Sequence, residues 1–234
     1  AGALFGFEQE YTFLSPDHRP LGFPAGGFPS PQGPYYCAVG SFNIFGRAVY
    51  EVFMQAAVLA GLALAGANFE VMPGQAEFQI GAVDALTACD HLWLARWLLH
   101  RITEEHHIAV TFDAKPVVEG DWNGAGMHAN VSTQVMRQPG GLAHIEAACH
   151  ALAQKRQEHL DVYGHGYQQR LTGHHETCSY HDFRFGIADR TASVRIPSHV
   201  AAAGHGYLED RRPNANADPY EVAARLLRTI LAIP

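Results

Sequence analysis

Two acidic side chains facing each other across a sheet repel unless a proton or a cation lies between them. The stretch Asn68-Phe69-Glu70-Val71-Met72-Pro73-Gly74-Gln75-Ala76-Glu77-Phe78-Gln79-Ile80 sets up such a pair. Both flanks of Pro73-Gly74 have strand character, and the dipeptide is a turn signal. With Pro73-Gly74 as a two-residue loop, Glu70 stands opposite Glu77, while Phe69, Val71, Phe78 and Ile80 face the core. Carboxylate oxygens of this kind suit Mg²⁺ or Mn²⁺. The alternative is a solvated hairpin end with two exposed acids, and the hairpin alone does not separate the two. Pro-Gly also favours a type II turn, which leaves the register open to a slip.

The pattern recurs. In Leu4 to Leu14, Phe5, Phe7, Tyr11 and Phe13 share one strand face, and Glu8 and Glu10 share the other. His128 and Asn130 share a face just after the glycine-rich run Asp121 to Gly126, whose glycines let backbone approach a ligand closely. Glu209 and Arg211 share a face near the C-terminus. Five acids (Glu8, Glu10, Glu70, Glu77, Glu209) and His128 suffice for two divalent ions. Arg170, Arg190, Arg195 and Arg211 come from the same late segments. Metals and arginines around one cleft suit polyphosphate transfer, because both neutralise phosphate oxygens. No GxxxxGK[ST] is present, so the chain is not of the Walker type.

The elements that must position these groups follow from periodicity. Strands are expected over Leu4–Leu14, both arms of the hairpin, Ile108–Val117, around His128, over Arg190–Pro197 and over Gly206–Pro213. Arg190 and Arg195 differ in parity, so one lies at the strand's mouth or a bulge intervenes. Helices are expected over Gly46–Ala60, with Val49, Val52, Phe53 and Ala56 inward, and over Asp84–His106, with Leu94, Trp97, Leu98, Arg101 and Ile102 on one side. A third runs over Leu142–Tyr163, and a last one is capped by Asp218 with Pro219 and Glu221. Leu21–Gly40 is an ordered loop held by Phe23, Phe28, Tyr35 and Tyr36. Mixed helices and strands without strict alternation favour an α+β fold: a curved antiparallel β-sheet lined by carboxylates, with helices packed outside.

A chain of 234 residues with 47% hydrophobic content has ample material for a core. Its net charge of −7 argues against a nucleic-acid or anionic-membrane partner. No apolar run reaches membrane-spanning length, and no basic stretch precedes an apolar one at the N-terminus. Cys37, Cys89, Cys149 and Cys178 form no CxxC pair and fit free thiols in a reducing, cytoplasmic setting. The pairs His106-His107 and His174-His175 are adjacent residues that point apart, a poor ligand geometry.

Seven segments, in order, resemble glutamine synthetase of the type shared by eukaryotes and some bacteria. They are Phe-Gly-Phe-Glu-Gln-Glu-Tyr at 5–11, Pro-Gln-Gly-Pro-Tyr-Tyr at 31–36, Glu-Val-Met-Pro-Gly-Gln-Ala-Glu-Phe-Gln at 70–79 and Asn-Gly-Ala-Gly-Met-His at 123–128. They continue with Arg-Leu-Thr-Gly-His-His-Glu-Thr at 170–177, Arg-Thr-Ala-Ser-Val-Arg-Ile-Pro at 190–197 and Glu-Asp-Arg-Arg-Pro at 209–213. The resemblance implies a catalytic domain over 1–234 that joins ammonia to L-glutamate using ATP, through γ-glutamyl phosphate, with the family's N-terminal β-grasp domain absent. It implies that Glu10, Glu70 and Glu77 hold one Mg²⁺ or Mn²⁺, and Glu8, His128 and Glu209 a second nearer the nucleotide. It implies that Asn123, Gly124, Arg170 and Arg211 bind glutamate, that Asn130, Arg190 and Arg195 bind ATP, and that Glu176 lies on a flap over the acyl phosphate. Arg190 and Arg195 would also steady the transferring group. The family forms homo-oligomeric rings of decamer type, and the absent domain would supply an Asp for ammonium. Two positions depart from the family: Ala76, where an aromatic residue is usual, and Tyr167, where Asn is frequent. Ala76 and the absent domain leave room for a ligase using another amine. A non-catalytic relative is the remaining alternative.

Overall fold

The structure, a computed structural model, describes residues 1–27 and 29–233; Phe28 lies outside them. Strand β1, Leu4–Leu14, is the spine of the sheet. Its aromatic residues Phe5, Phe7, Tyr11 and Phe13 are fully buried, as the period-2 alternation requires. On its two sides lie β3 (Gln75–Asp84) and β5 (Met127–Ser132), both antiparallel to it. Beyond β3 comes β2 (Leu64–Phe69), and beyond β5 come β8 (Leu208–Asp210), β7 (Val194–Ile196) and β6 (Phe185–Ile187). A short β4, Ala109–Thr111, pairs with the far end of β1 in place of the longer strand expected over Ile108–Val117. The sheet is open, with β2 and β6 at its edges. One pairing is not antiparallel: β6 runs parallel to β7.

Helices α1 (Arg47–Leu59), α2 (Ala85–Glu105), α3 (Gly141–Gln154) and α7 (Pro219–Ile230) build one core with the aromatic face of the sheet. Short helices α4 (Arg156–Leu160), α5 (Tyr167–Arg170) and α6 (Ser198–Ala203) complete the set. The caps follow the sequence. The Asp84 carboxylate accepts from Thr87 N at 3.1 Å and the Asp218 carboxylate from Tyr220 N at 2.8 Å.

Several inward stripes are rotated from expectation. In α1 the buried residues are Val49, Phe53 and Ala57, and Val52 is exposed. In α2 they are Ala88, Cys89, Leu92, Ala95, Arg96, Leu99 and Thr103, while Leu94, Trp97 and Arg101 face outward. The cause is visible in the outer face itself. Leu86, Trp93, Leu94 and Trp97 are apolar yet exposed, so hydrophobicity does not mark the inner side of this helix. The helix expected over Leu142–Tyr163 breaks at Lys155, where the backbone leaves helical values (φ −106°, ψ 20°) and resumes as α4.

The hairpin register is also corrected. Asn68, not Glu70, is the partner of Glu77, and Phe69 pairs with Ala76. Gln75 N donates to Met72 O at 3.1 Å, which makes Pro73 and Gly74 the two central residues of a turn inside a longer connection. Gly74 has φ 76°, the positive value a type II turn demands at that position. The register therefore slips by two residues. Since strand side chains alternate with period 2, a slip of two keeps Glu70 on the same face as Glu77.

Candidate active site

Cross-strand pairing assembles the site. Glu10 is the direct partner of Glu77, and Glu8 the direct partner of His128. Asn130 pairs with Glu209, and Glu209 with Arg195. One polar sheet face thus runs from β3 through β1, β5 and β8 to β7. Glu70 joins it from the turn after β2.

Two groups of three result, each with ligand atoms within 4.8 Å of one another: Glu10, Glu70 and Glu77, and Glu8, His128 and Glu209. The first is an all-carboxylate set. Burial, and then the charges of Glu10 and Glu77, push the Glu70 carboxyl well above its ordinary range. Burial, and then Glu8 and Glu10, push Glu77 up to about 8. Acids that hold protons this tightly lack countercharge, and a hard divalent cation supplies it; the donor set fits Mg²⁺ or Mn²⁺. In the second group burial and the nearby Arg211 pull His128 down. The Glu209 and Glu8 carboxylates outweigh them and raise it to about 9. Burial acts to raise Glu209, but His128, Arg211 and Arg195 hold it at about 2. Two carboxylates and one imidazole also make a donor set suited to a divalent metal, whose binding drives off the imidazolium proton.

All of these residues except Glu209 line a cavity of about 400 Å³ that also takes in Asn123, Gly124, Arg170, Glu176, Arg190, Arg195 and Arg211. Arg211 Nη1 meets Glu209 Oε1 at 2.7 Å, and Arg195 forms an ion pair with Glu209 Oε2. Arg190 lies in the loop before β7, at the strand's mouth, so both arginines reach the cavity despite their parity. Arg190 sits over the Tyr36 ring, 5.7 Å from its centroid, and its Nη1 lies 3.6 Å from Glu176 Oε2. Arg170 is buried and closely engaged. It donates to the carbonyls of Arg211 (3.1 Å), Arg212 (3.1 Å) and Pro213 (3.2 Å), and lies 3.2 Å from His128 Nε2. Gly126 admits it: a methyl there would collide with the Arg170 guanidinium and come within 3.0 Å of His128 Nε2. Glu209 is fully buried behind the cavity wall. Asn130 does not line this cavity. It borders an adjoining one of about 350 Å³ with Ser132, Arg137, Gly206 and Tyr207, and Glu8 and Gln79 border both.

A family model described as "Glutamine synthetase, catalytic domain" matches residues 3–148. The chain belongs to the glutamine synthetase catalytic-domain family. It is 52% identical over 230 residues to "Glutamine synthetase" of Panulirus argus, which covers 97% of this chain and 63% of that protein. It is 54% identical over 228 residues to "Glutamine synthetase, chloroplastic" of Chlamydomonas reinhardtii, with 97% and 60% covered. It is 51% identical over 225 residues to "Glutamine synthetase" of Neurospora crassa, with 96% and 62% covered. The chain thus spans about three-fifths of the length of these curated relatives. A solved structure described as "Apo GmaS without ligand" superposes with a TM-score of 0.75 at 21% identity, covering 99% of this chain and 53% of that one; it shares the fold.

Within this family fold, two departures can be placed. Ala76 is fully buried on the core face, with Tyr11 and Phe69 as strand partners. It therefore alters packing beneath the site and not the site's lining. Tyr167 opens α5 and packs edge-on against Tyr180 at 5.6 Å.

Sequence reading missed Asn68 and Gln79, which steady two of the acids, and the hold that Asn130 has on a third. Asn68 Nδ2 donates to Glu70 Oε1 at 2.8 Å, Gln79 Nε2 to Glu77 Oε1 at 2.6 Å, and Asn130 Nδ2 to Glu8 Oε1 at 2.9 Å. Asn68 and Gln79 each lie two residues from the acid they hold, so shared parity was the available signal. Also missed was Gln9, fully buried between Glu8 and Glu10 on the core side. Its Oε1 accepts from Arg96 Nε and Nη2 at 2.9 and 2.7 Å. Arg96 also caps the carbonyls of Ala215 and Ala217, and no carboxylate pairs with it among the described residues. Burial lowers it to about 10.

Proposed function

We propose that the protein is an ATP-dependent ligase that condenses L-glutamate with ammonia to give glutamine by way of γ-glutamyl phosphate. The observation that carries this reading is the pair of adjoining acidic ligand groups in one cavity with Arg190, Arg195 and Arg211. A carboxylate resists attack by an amine because its leaving group would be oxide. Its oxygen therefore attacks the γ-phosphorus of ATP, ADP departs, and the acyl phosphate formed is open to ammonia. The amine nitrogen then bonds to the carbonyl carbon, phosphate leaves with its bridging oxygen, and the surplus proton passes to a nearby base.

Glu10, Glu70 and Glu77 would hold one divalent ion and Glu8, His128 and Glu209 a second, and such ions when bound would supply positive charge for phosphoryl transfer. The chain's own groups do the rest. Arg190 and Arg195 grip the phosphates of the nucleotide. The adjoining cavity, which meets the first at Glu8, takes the nucleoside, with Asn130 beside it. Asn123 and Gly124 orient the amino acid, and Arg211 with Arg170 receives its carboxylates. Glu176, on the turn His174–Thr177, closes over the acyl phosphate and accepts a proton from ammonium. Ala76 faces the core, so its small side chain does not widen the cavity. No helix among the described residues is long and apolar enough to cross a membrane, and the free cysteines fit a cytoplasmic setting. Assembly into homo-oligomeric rings completes the reading.

The test is phosphate release from ATP with Mg²⁺ present. Release that depends on both glutamate and ammonium supports the whole reading. Release with glutamate alone supports the phosphoryl step and removes the ammonia step. No release with either overturns it.

A further inference from the structure

Three loops meet at the mouth of the cavity, and two side chains with no role assigned so far join them. Gln32 Oε1 accepts from Asn123 N at 2.7 Å, and Gln32 Nε2 lies 3.2 Å from His175 Nδ1. On its other side His175 Nε2 lies 3.0 Å from Asp121 Oδ1. The donors and acceptors run in one consistent sense. Asn123 N–H gives to the Gln32 oxygen, the Gln32 amide gives to Nδ1, and the Nε2 proton goes to Asp121. That order fixes the neutral imidazole tautomer. It agrees with the lowered pKa of His175, which burial causes first, followed by Lys115. The loop carrying Gln32 is itself pinned to the Glu70 turn, where Gly33 N donates to Val71 O at 2.9 Å.

His175 and Glu176 are consecutive residues with left-handed backbone, φ 53° and 56°. Non-glycine residues hold that conformation only when their surroundings impose it. Glu176 itself is exposed, and its own ties are loose: Arg190 at 3.6 Å, and Arg211 Nη2 to its carbonyl at 3.4 Å. The firmer hold on this turn comes from its neighbour.

We propose that Gln32 and His175 are positioning residues that clasp the Glu176 flap to the Asn123 loop and so hold it at the mouth of the cavity. This rests on the ligase reading above. In that reading a flap held shut keeps water from the acyl phosphate until ammonia arrives, so the clasp governs how much phosphate release ends in product.

Two variants test it on the purified protein. Gln32→Met keeps the volume and removes both hydrogen bonds. His175→Asn tolerates the left-handed backbone and is too short to span Gln32 and Asp121. Each is expected to speed amide exchange over residues 172–177 by about tenfold while leaving β1 and β5 protection unchanged. Each is also expected to lower glutamine formed per phosphate released by about fivefold, with the KM for ATP unmoved. Unchanged exchange over 172–177 overturns the clasp, and this arm stands even if the wild type releases no phosphate. Faster flap exchange with an unaltered product-to-phosphate ratio overturns the positioning role. A failure of the ligase reading shows itself separately, as no glutamate-dependent release from the wild type.

Discussion

Glu10 and Glu77 are direct antiparallel partners on β1 and β3, so two buried carboxylates stand side by side in the middle of the sheet. A folded protein keeps such a pair against its own stability, and burial, followed by the charges of Glu8 and Glu10, pushes the Glu77 carboxyl up to about 8.

Replacing Glu77 with Gln is therefore expected to raise metal-free stability. Glu77 has a folded pKa of about 8, above the ordinary carboxylate range, so its cost is absent below pH 4 and grows as pH rises toward 8. At pH 7.5 the gain is on the order of 4 kcal/mol, read from urea unfolding. The same variant loses the rise in Tm that Mn²⁺ gives the wild type. A rise equal to that of the wild type would remove Glu77 from the ligand set.

Gly126→Ala puts a methyl where the Arg170 guanidinium lies. Arg170 must retreat from His128 and from the carbonyls of residues 211–213. The expected result is at least a tenfold loss in kcat/KM, with far-UV circular dichroism unchanged. Wild-type kinetics would mean that Arg170 can shift at no cost.

Arg96→Leu leaves Gln9 Oε1 and the Ala217 carbonyl without their Arg96 donor, and the Ala215 carbonyl with Gln9 Nε2 alone. The expected loss is about 3 kcal/mol, measured by urea unfolding. A change under about 1 kcal/mol would show that water replaces the guanidinium.

His159 is fully buried, with Nδ1 2.6 Å from Tyr163 Oη and Nε2 2.9 Å from Thr229 Oγ1. Burial, and then Arg212, lower it to about 3, far below the ordinary imidazole. As pH falls the unfolded chain takes up that proton first. Stability is therefore level above pH 6.5 and falls from there toward pH 3. The share due to His159 is about 2 kcal/mol between pH 7 and pH 5. His159→Gln should flatten the unfolding free energy over that interval by this amount. An equal slope in both proteins would assign the acid sensitivity elsewhere.

The sequence disclosed what parity controls. Aromatics alternating with Glu8 and Glu10 defined both faces of β1, and the same reasoning put His128 beside Asn130 and Glu209 beside Arg211. It did not disclose the hairpin register, because Pro73-Gly74 turns the chain as type II and not as a two-residue hairpin. It misplaced the inner stripe of α2, because Trp93, Leu94 and Trp97 make the outer face as apolar as the inner one. Buried Gln9, Arg96 and His159 were invisible for a related reason. Their side chains are polar, and each depends on at least one tertiary partner far along the chain.

The order of strands across the sheet differs from their order along the chain. During synthesis Glu8 and Glu10 emerge well before His128, and His128 well before Glu209. The group of Glu8, His128 and Glu209 therefore cannot exist on a nascent chain until β8 docks against β5. A cation site in that group therefore matures late, only after β1, β5 and β8 have come together.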